Sequence, residues 1–95
     1  MRMLVAFDIA TNGRRRRVTR VLREFGVRVQ KSAFEVEVEA ADLAEMERRL
    51  RPLVDARQDR LAVYPIDRSG QRRVLWMGAG PLGSLPERKP DYFLV

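Results

Sequence analysis

Apolar and polar residues follow two different periods along this chain, and these periods predict strands and helices. Residues 3–9 are apolar at every position except Asp8, and on their length they predict a central strand with both faces buried. Residues 27–31 and 33–39 alternate between apolar and polar side chains, which predicts two short antiparallel strands or one strongly bent strand. Two further apolar runs predict a fourth strand and a short fifth strand, at residues 59–66 and 72–77.

Two other segments carry apolar residues at helical spacing. The first follows Thr11 and Asn12, either of which supplies a side-chain oxygen for capping, and Gly26 is expected to end it in the left-handed conformation. Its apolar stripe consists of Val18, Val21, Leu22 and Phe25. The stripe of the second helix consists of Leu43, Met46, Leu50 and Leu53. Pro52 is expected to end or kink this second helix near its last turn.

The predicted order is strand, helix, strand, strand, helix, strand, with one additional strand and a tail. This is the order of an α+β ferredoxin-like βαββαβ sandwich, in which both helices cover one face of the sheet. Because the first and fourth strands are apolar on both faces, the second face also needs a cover, and a homodimer with its sheets facing each other is the simplest solution. We therefore expect a domain at residues 1–77 and a Gly/Pro-rich tail at 78–95 that docks at the dimer interface.

The absence of two residue types excludes several classes of catalytic site and metal site. The chain has 95 residues with no cysteine and no histidine. These absences exclude disulfides, thiolate nucleophiles, serine–histidine triads and ordinary zinc sites. No apolar run approaches the ~20 residues of a membrane span, and the first residues show no signal-peptide pattern. A cytoplasmic protein without a membrane partner is expected.

Positive charge is concentrated in one segment. The net charge is +6, and residues 13–31 carry eight bases against a single acid, Glu24. A localised basic field indicates a polyanion partner, and nucleic acid is favoured over a membrane because no lipid-facing amphipathic helix accompanies it. The planar arginine fork suits phosphate, and such binding weakens steeply with salt. The candidate nucleic-acid contacts are Arg14, Arg15, Arg16, Arg17, Arg20 and Ser32.

Other polar and aromatic positions have two interpretations each. Ser32 either makes the turn between two strands or brings its hydroxyl to a phosphate. Phe34 lies on the apolar face of an alternating strand, so core packing is favoured over an accessory role in a site. The acidic ladder of Glu35, Glu37 and Glu39 resembles a metal site. On an edge strand, however, such a ladder is better explained by its effect on solubility.

Asp8 is the main candidate for chemistry because it ends the first strand just before the basic segment. A carboxylate at this place is often a helix cap or the partner of a basic side chain. Alternatively it is a ligand for Mg²⁺ (or Mn²⁺), because Mg²⁺ keeps several waters and takes one or two carboxylates plus phosphate oxygens. A metal bound there polarises a phosphoryl group or activates water, and neither route needs histidine.

Four pieces of sequence occur in a specific order. They are the strand ending in Phe7-Asp8, the arginine-rich helix, the block Val29-Gln-Lys-Ser-Ala-Phe-Glu35, and the strand Leu61-Ala-Val-Tyr-Pro-Ile66. Together they resemble the small CRISPR-associated Cas2 family, over about residues 3–77. Ala33 replaces the usual valine of the block, which leaves its alternation intact.

The resemblance implies a ferredoxin-like homodimer whose two Asp8 carboxylates lie near the twofold axis. It implies either a Mg²⁺- or Mn²⁺-dependent nuclease acting on RNA or double-stranded DNA, with Asp8 as catalytic residue and metal ligand, or a structural bridge that binds duplex DNA and joins the spacer integrase. Arg16, Arg17 and Phe34 also match positions that the family associates with activity or nucleic-acid contact. The alternative from a different class is a ferredoxin-like regulatory or interaction domain without a nucleic-acid role, against which the arginine run argues.

Overall fold

Five strands form one antiparallel sheet, and two helices pack on it, in the computed structural model, which describes residues 1–66 and 75–79. The strands are β1 (Arg2–Asp8), β2 (Gly26–Gln30), β3 (Ala33–Glu37), β4 (Arg60–Pro65) and β5 (Leu75–Gly78). The helices are α1 (Asn12–Arg23) and α2 (Ala40–Leu50), and a 3₁₀ turn at Arg51–Leu53 follows α2. The strand order is β2-β3-β1-β4-β5, which confirms the predicted ferredoxin-like arrangement with β5 added beside β4.

The central strand is β1, because β3 pairs with it on one side and β4 on the other. Successive side chains of a strand point to opposite faces. Met3, Val5 and Phe7 therefore join the core beneath the helices, while Leu4 and Ala6 join a second apolar cluster on the other face. The helical stripes supply the rest of the first core, including Val18, Val21, Leu22, Met46 and Leu50.

The middle of the second face of the sheet, on β1 and β4, is buried. Leu4, Ala62 and Tyr64 are 1%, 0% and 1% exposed, and Ile66 packs against them. Val27 of the edge strand β2, which the register places on the same face as Leu4, is 65% exposed. Part of this face is therefore uncovered, and the homodimer stays a prediction. Of the expected tail, residues 80–95 lie outside the described part of the chain, as do residues 72–74 of the expected fifth strand.

The boundaries of α1 confirm one sequence expectation and correct another. Thr11 is the N-cap, and its hydroxyl accepts a hydrogen bond from the Arg14 amide at 3.3 Å. The expected left-handed stop at Gly26 is wrong, because α1 ends at Arg23 and Gly26 does not have a positive φ. Gly26 instead opens β2, where a Cβ would lie 2.1 Å from the Glu35 carbonyl oxygen. Close approach between strands, rather than helix termination, explains this glycine.

The second half of the domain follows the predicted pattern with one exception. α2 ends at Leu50 and passes into the 3₁₀ turn that contains Pro52, as expected for proline near a helix end. The acidic ladder does not lie on an edge strand, because β3 is flanked by β2 and β1, and Glu35 forms an ion pair with Arg2 of β1. With 12 residues in α1 and 11 in α2, no helix in the described ranges is long and apolar enough to cross a bilayer.

Candidate nucleic-acid interface

Asp8 lies at the end of the central strand with its side chain exposed. The five residues before it are buried, so the strand is held in place by the core on both faces and presents the carboxylate at its tip. Within residues 1–66 and 75–79 this carboxylate forms neither a hydrogen bond nor an ion pair. The interpretations as a helix cap or as the partner of a basic side chain therefore have no support in the described contacts.

Arg60 is the cross-strand neighbour of Asp8, in the antiparallel pairing of β1 with β4. It is half-buried, and its Nε is buried without a hydrogen-bond acceptor in the described part of the chain. A cationic side chain that leaves a buried donor unsatisfied beside an exposed carboxylate supplies a positive potential at this end of the sheet.

The carboxylate of Asp59, one residue before Arg60, organises the loop that follows Asp8. It is 0% exposed and accepts four hydrogen bonds. Two come from Arg14, Nε to Oδ2 at 2.7 Å and a terminal nitrogen to Oδ1 at 3.1 Å. The other two come from the backbone amides of Ala10 and Asp55, each at 2.8 Å. Asp59 thus joins the end of β1, the start of α1 and the loop before β4.

The surroundings of this carboxylate also determine its ionisation. Burial raises the pKa of Asp59, but the hydrogen bond from Arg14 and those from the amides of Ala10 and Asp55 outweigh it, and the pKa falls from 3.8 to about 2. The same hydrogen bond raises the pKa of Arg14 against the opposing effect of burial. Both groups are therefore ionised at neutral pH, and the charge of Asp59 largely neutralises that of Arg14.

The structure divides the arginines predicted to contact nucleic acid into two groups. Arg14 is bound to Asp59, and Arg15 donates to the Ile9 carbonyl at 2.9 Å and to the Asn12 side chain. Both therefore hold the loop between β1 and α1 in place. The second group, whose side chains are exposed and have no acidic partner in the described ranges, consists of Arg16, Arg17 and Arg20.

Ser32 and Phe34 occupy the places that their structural interpretations predicted. Ser32 is exposed in the turn between β2 and β3, and its carbonyl oxygen accepts a hydrogen bond from the Phe7 amide at 3.0 Å. Phe34 is 0% exposed, and its ring centroid lies 6.3 Å from that of Phe7. The guanidinium carbon of Arg28 lies 5.4 Å above the Phe34 ring. Phe34 thus reaches the basic surface only through Arg28, and an accessory role for it stays a prediction.

Asp59 is the residue that sequence patterns missed. It is one acid among eight in residues 32–59, placed just before an apolar strand, and nothing in that pattern separates it from a solvent-facing carboxylate. The available signal is its position: an acid that directly precedes a strand buried on both faces is carried into the interior and needs a cation there. Which arginine supplies the charge depends on the tertiary fold.

Asp8 offers a divalent cation one carboxylate per chain. No group of three or more acidic, cysteine or histidine side chains is placed to hold a metal in the described ranges. An exposed, unpaired carboxylate with hard oxygen donors fits Mg²⁺ or Mn²⁺, which take their remaining ligands from water and phosphate. It does not form a closed structural site, so any metal here depends on a second carboxylate or on the bound nucleic acid.

Comparison with known proteins gives the family. The sequence model described as CRISPR associated protein Cas2 matches residues 1–74. The chain belongs to the Cas2 family. A CRISPR-associated endonuclease Cas2 of Thermus thermophilus is 42% identical over 83 residues, covering 87% of this chain and 88% of that protein. A CRISPR-associated endoribonuclease Cas2 of Chloroflexus aurantiacus is 32% identical over 92 residues, covering 97% and 95%.

Solved structures of the same family share the fold. The crystal structure of a hypothetical protein from Thermus thermophilus superposes with a TM-score of 0.68 at 41% identity, covering 85% of this chain and 94% of the other. Cas2 of Streptococcus pyogenes, solved at pH 6.5, superposes with a TM-score of 0.68 at 32% identity, covering 82% and 100%. The resemblance drawn from the ordered sequence motifs is thereby confirmed for the family and the fold.

Proposed function

We propose that this Cas2 family member is a nucleic-acid-binding protein of CRISPR adaptation that works as a homodimer, bridges the spacer integrase, and cleaves phosphodiester bonds of RNA or double-stranded DNA with Mg²⁺ or Mn²⁺. One observation carries the proposal: an exposed, unpaired carboxylate, Asp8, ends a buried strand next to a helix on which Arg16, Arg17 and Arg20 lack acidic partners in the described ranges. The names of the relatives, CRISPR-associated endonuclease and endoribonuclease, support phosphodiester cleavage.

Binding is the part of the proposal with the most direct physical support. Arg16, Arg17 and Arg20 carry full charge on the exposed side of α1, and no carboxylate in the described ranges competes with phosphate for them. Arginine contacts to the backbone give affinity that depends strongly on salt and little on sequence. A bridge between integrase units needs this kind of binding, because it holds DNA of any sequence.

Cleavage would use Asp8 as a metal ligand, and a homodimer would bring a second Asp8. A bound Mg²⁺ supplies Lewis-acid chemistry, stabilising charge on the phosphoryl group or lowering the pKa of water. The chain's own part is to hold the Asp8 carboxylate at the tip of a buried strand and to orient the phosphates through the arginines. Arg15 connects the two regions, because its guanidinium donates to the carbonyl of Ile9, the residue after Asp8.

The test is a cleavage assay of duplex DNA and single-stranded RNA with Mg²⁺, with Mn²⁺ and with EDTA. Asp8→Asn should lose metal-stimulated cleavage while it keeps its fold and its binding in a gel shift. Asp42→Asn, which changes an exposed acid in the first turn of α2, is the matched control and should behave as the wild type. Full activity of Asp8→Asn would overturn the assignment of the metal to Asp8.

A gel shift separates the adaptor from a protein without a nucleic-acid role. Wild-type protein that shifts duplex DNA at moderate salt but shows no cleavage would leave the bridging function as the whole activity. Absence of any shift would favour the regulatory or interaction domain instead. Mixing with the spacer integrase followed by sedimentation tests the bridge, and the sedimentation of the protein alone tests the homodimer.

A further inference from the structure

A cleft between α1 and β2 is lined by arginines and a single threonine. Its volume is about 460 Å³, and its lining residues are Arg15, Arg16, Thr19, Arg20, Arg23 and Arg28. Five arginines thus line one concavity, and no acidic residue is among its lining residues. We refer to this feature as the arginine cleft.

Helical spacing and one strand residue explain how the cleft is built. Arg16, Thr19, Arg20 and Arg23 stand at positions i, i+3, i+4 and i+7 of α1, so they share one face of the helix. Arg28 comes from β2 and faces them. This is a polar stripe with the same period as the apolar stripe of α1, turned toward the edge strand of the sheet.

Arg28 is held at the cleft by two contacts with buried groups. Its guanidinium carbon lies 5.4 Å from the centroid of the fully buried Phe34 ring, and one terminal nitrogen donates to the Thr19 hydroxyl at 3.4 Å. Thr19 is only 6% exposed. Neither contact neutralises the charge, so Arg28 is positioned but keeps donors for a ligand.

The arginines of this cleft form no ion pair in the described ranges, whereas five arginines elsewhere in the chain do. Arg2, Arg14, Arg48, Arg49 and Arg51 each form an ion pair with a carboxylate. The acid nearest to the cleft in sequence is Glu24, which adjoins Arg23, yet it bonds to Arg49 of α2 at 2.7 and 2.8 Å. The cleft therefore keeps a cluster of like charges, and an anionic ligand bound there would relieve their mutual repulsion.

We infer that the arginine cleft binds a compact chain of linked phosphates, as found in a nucleoside triphosphate or at a triphosphorylated 5′ end. A terminal phosphate carries about 1.5 to 2 negative charges, against one for a backbone diester, so a short phosphate chain matches five cations better than a single diester does. Arg28 and the buried Thr19 lie at the wall of a concavity, which a chain end enters and the flat backbone of a duplex does not. The inference goes beyond the proposed function, which needs only backbone phosphates on the exposed arginines.

The lining residues also predict that the cleft does not select among bases. Its volume lies in the range of small-molecule sites, roughly 300–1,000 Å³, yet no aromatic face is among its lining residues. Without a surface on which a base can stack, affinity should depend on the number of linked phosphates and hardly on the base.

Inorganic tripolyphosphate is the direct probe, titrated into the full chain by calorimetry in EDTA so that no metal at Asp8 contributes. One molecule per chain should bind, at least tenfold more tightly than orthophosphate. Arg20→Gln and Arg28→Gln should each weaken it at least tenfold, whereas Arg48→Gln on α2 should leave it unchanged. Arg20 is exposed on α1, so Arg20→Gln should fold normally. It therefore tests the inference even if Arg28→Gln has a fold defect. No saturable binding, or equal losses in all three variants, would overturn the inference.

Further titrations identify the source of the phosphate chain. ATP binding as tightly as tripolyphosphate, with the loss in Arg28→Gln preserved, assigns a free nucleotide. Tighter binding of a 5′-triphosphorylated oligonucleotide than of the same strand with a 5′-hydroxyl, by a factor lost in Arg28→Gln, assigns a strand end. Asp8→Asn should bind tripolyphosphate normally while it lacks cleavage, so this inference and the proposed function fail separately.

Discussion

Arg14 and Asp59 form a bidentate ion pair in which the carboxylate is fully buried and the guanidinium side chain is 23% exposed. The pair fixes the first turn of the basic helix to the loop before β4. Through the Ala10 amide it also fixes the residues that follow Asp8. The position of the candidate site therefore depends on a buried ion pair as well as on the exposed arginines.

Removal of the Asp59 carboxylate should be one of the most destabilising single changes in the chain. Asp59→Ala leaves a partly buried guanidinium without its partner and two backbone amides without acceptors. Breaking a buried pair in this way costs about 3–5 kcal/mol. Urea unfolding at a fixed protein concentration measures the change in the free energy of unfolding.

Glu45→Ala is the matched control for this variant. It breaks the pair between Arg48 and Glu45 on α2, whose side chains are 70% and 46% exposed. Exposed pairs contribute less than about 1 kcal/mol, so the stability should hardly change. Similar losses in the two variants would contradict the structural role of the Arg14–Asp59 pair.

The ionisation of Asp59 predicts how stability depends on pH. Its pKa falls from 3.8 to about 2 on folding, so its contribution is fully present above about pH 4 and is lost as the pH falls through 2. The size of this contribution is about 2 kcal/mol. Thermal unfolding between pH 5 and pH 2 should show a steeper loss for the wild type than for Asp59→Asn. Parallel curves would mean that the pKa of Asp59 is the same in the folded and the unfolded chain.

The fold was predictable because its elements obey simple periods. The run from Met3 to Phe7 is apolar on both faces, and this alone placed β1 at the centre of the sheet. Gly26 was misassigned because glycine serves both helix ends and close strand approaches, and only the position of the Glu35 carbonyl distinguishes them. Apolar residues on both faces of β1 and β4 predicted a cover for the second face, but no local pattern identifies that cover.

The site was predictable as a region but not residue by residue. Four consecutive arginines look alike in sequence, yet Arg14 is neutralised by an acid 45 positions away and Arg16 is not. Long-range partners of this kind follow from the tertiary fold, and no local pattern encodes them. Arg28 escaped notice for the same reason, because β2 brings it to the face of α1 only in the folded chain.

Salt dependence distinguishes the arginines that contact phosphate from those that do not. Arg16→Gln combined with Arg17→Gln should reduce the slope of log K against log salt for duplex DNA by about 2, since each lost phosphate contact removes about 0.9. A filter-binding series between low and moderate salt gives the slope. Both side chains are exposed and unpaired in the described ranges, so stability should not change.

Arg48→Gln combined with Arg51→Gln removes the same charge from α2 and its 3₁₀ turn, where both arginines pair with glutamates. This control should leave the slope unchanged. An equal reduction in both double variants would mean that duplex DNA responds to net charge alone and that α1 is not the contact surface.

Arg60 should oppose metal binding at Asp8 because it carries positive charge on the neighbouring strand. Directly opposed residues of antiparallel strands have Cα atoms about 4.5–5.5 Å apart, which keeps the guanidinium within several ångströms of the Asp8 carboxylate. A unit charge about 8 Å from a divalent cation, screened as in bulk water, repels it by about 1 kcal/mol. Arg60→Gln should therefore bind Mn²⁺ about fivefold more tightly, measured through the loss of the free Mn²⁺ signal in electron paramagnetic resonance. The gain should vanish in the combination with Asp8→Asn, and tighter binding that persists there would place the metal elsewhere.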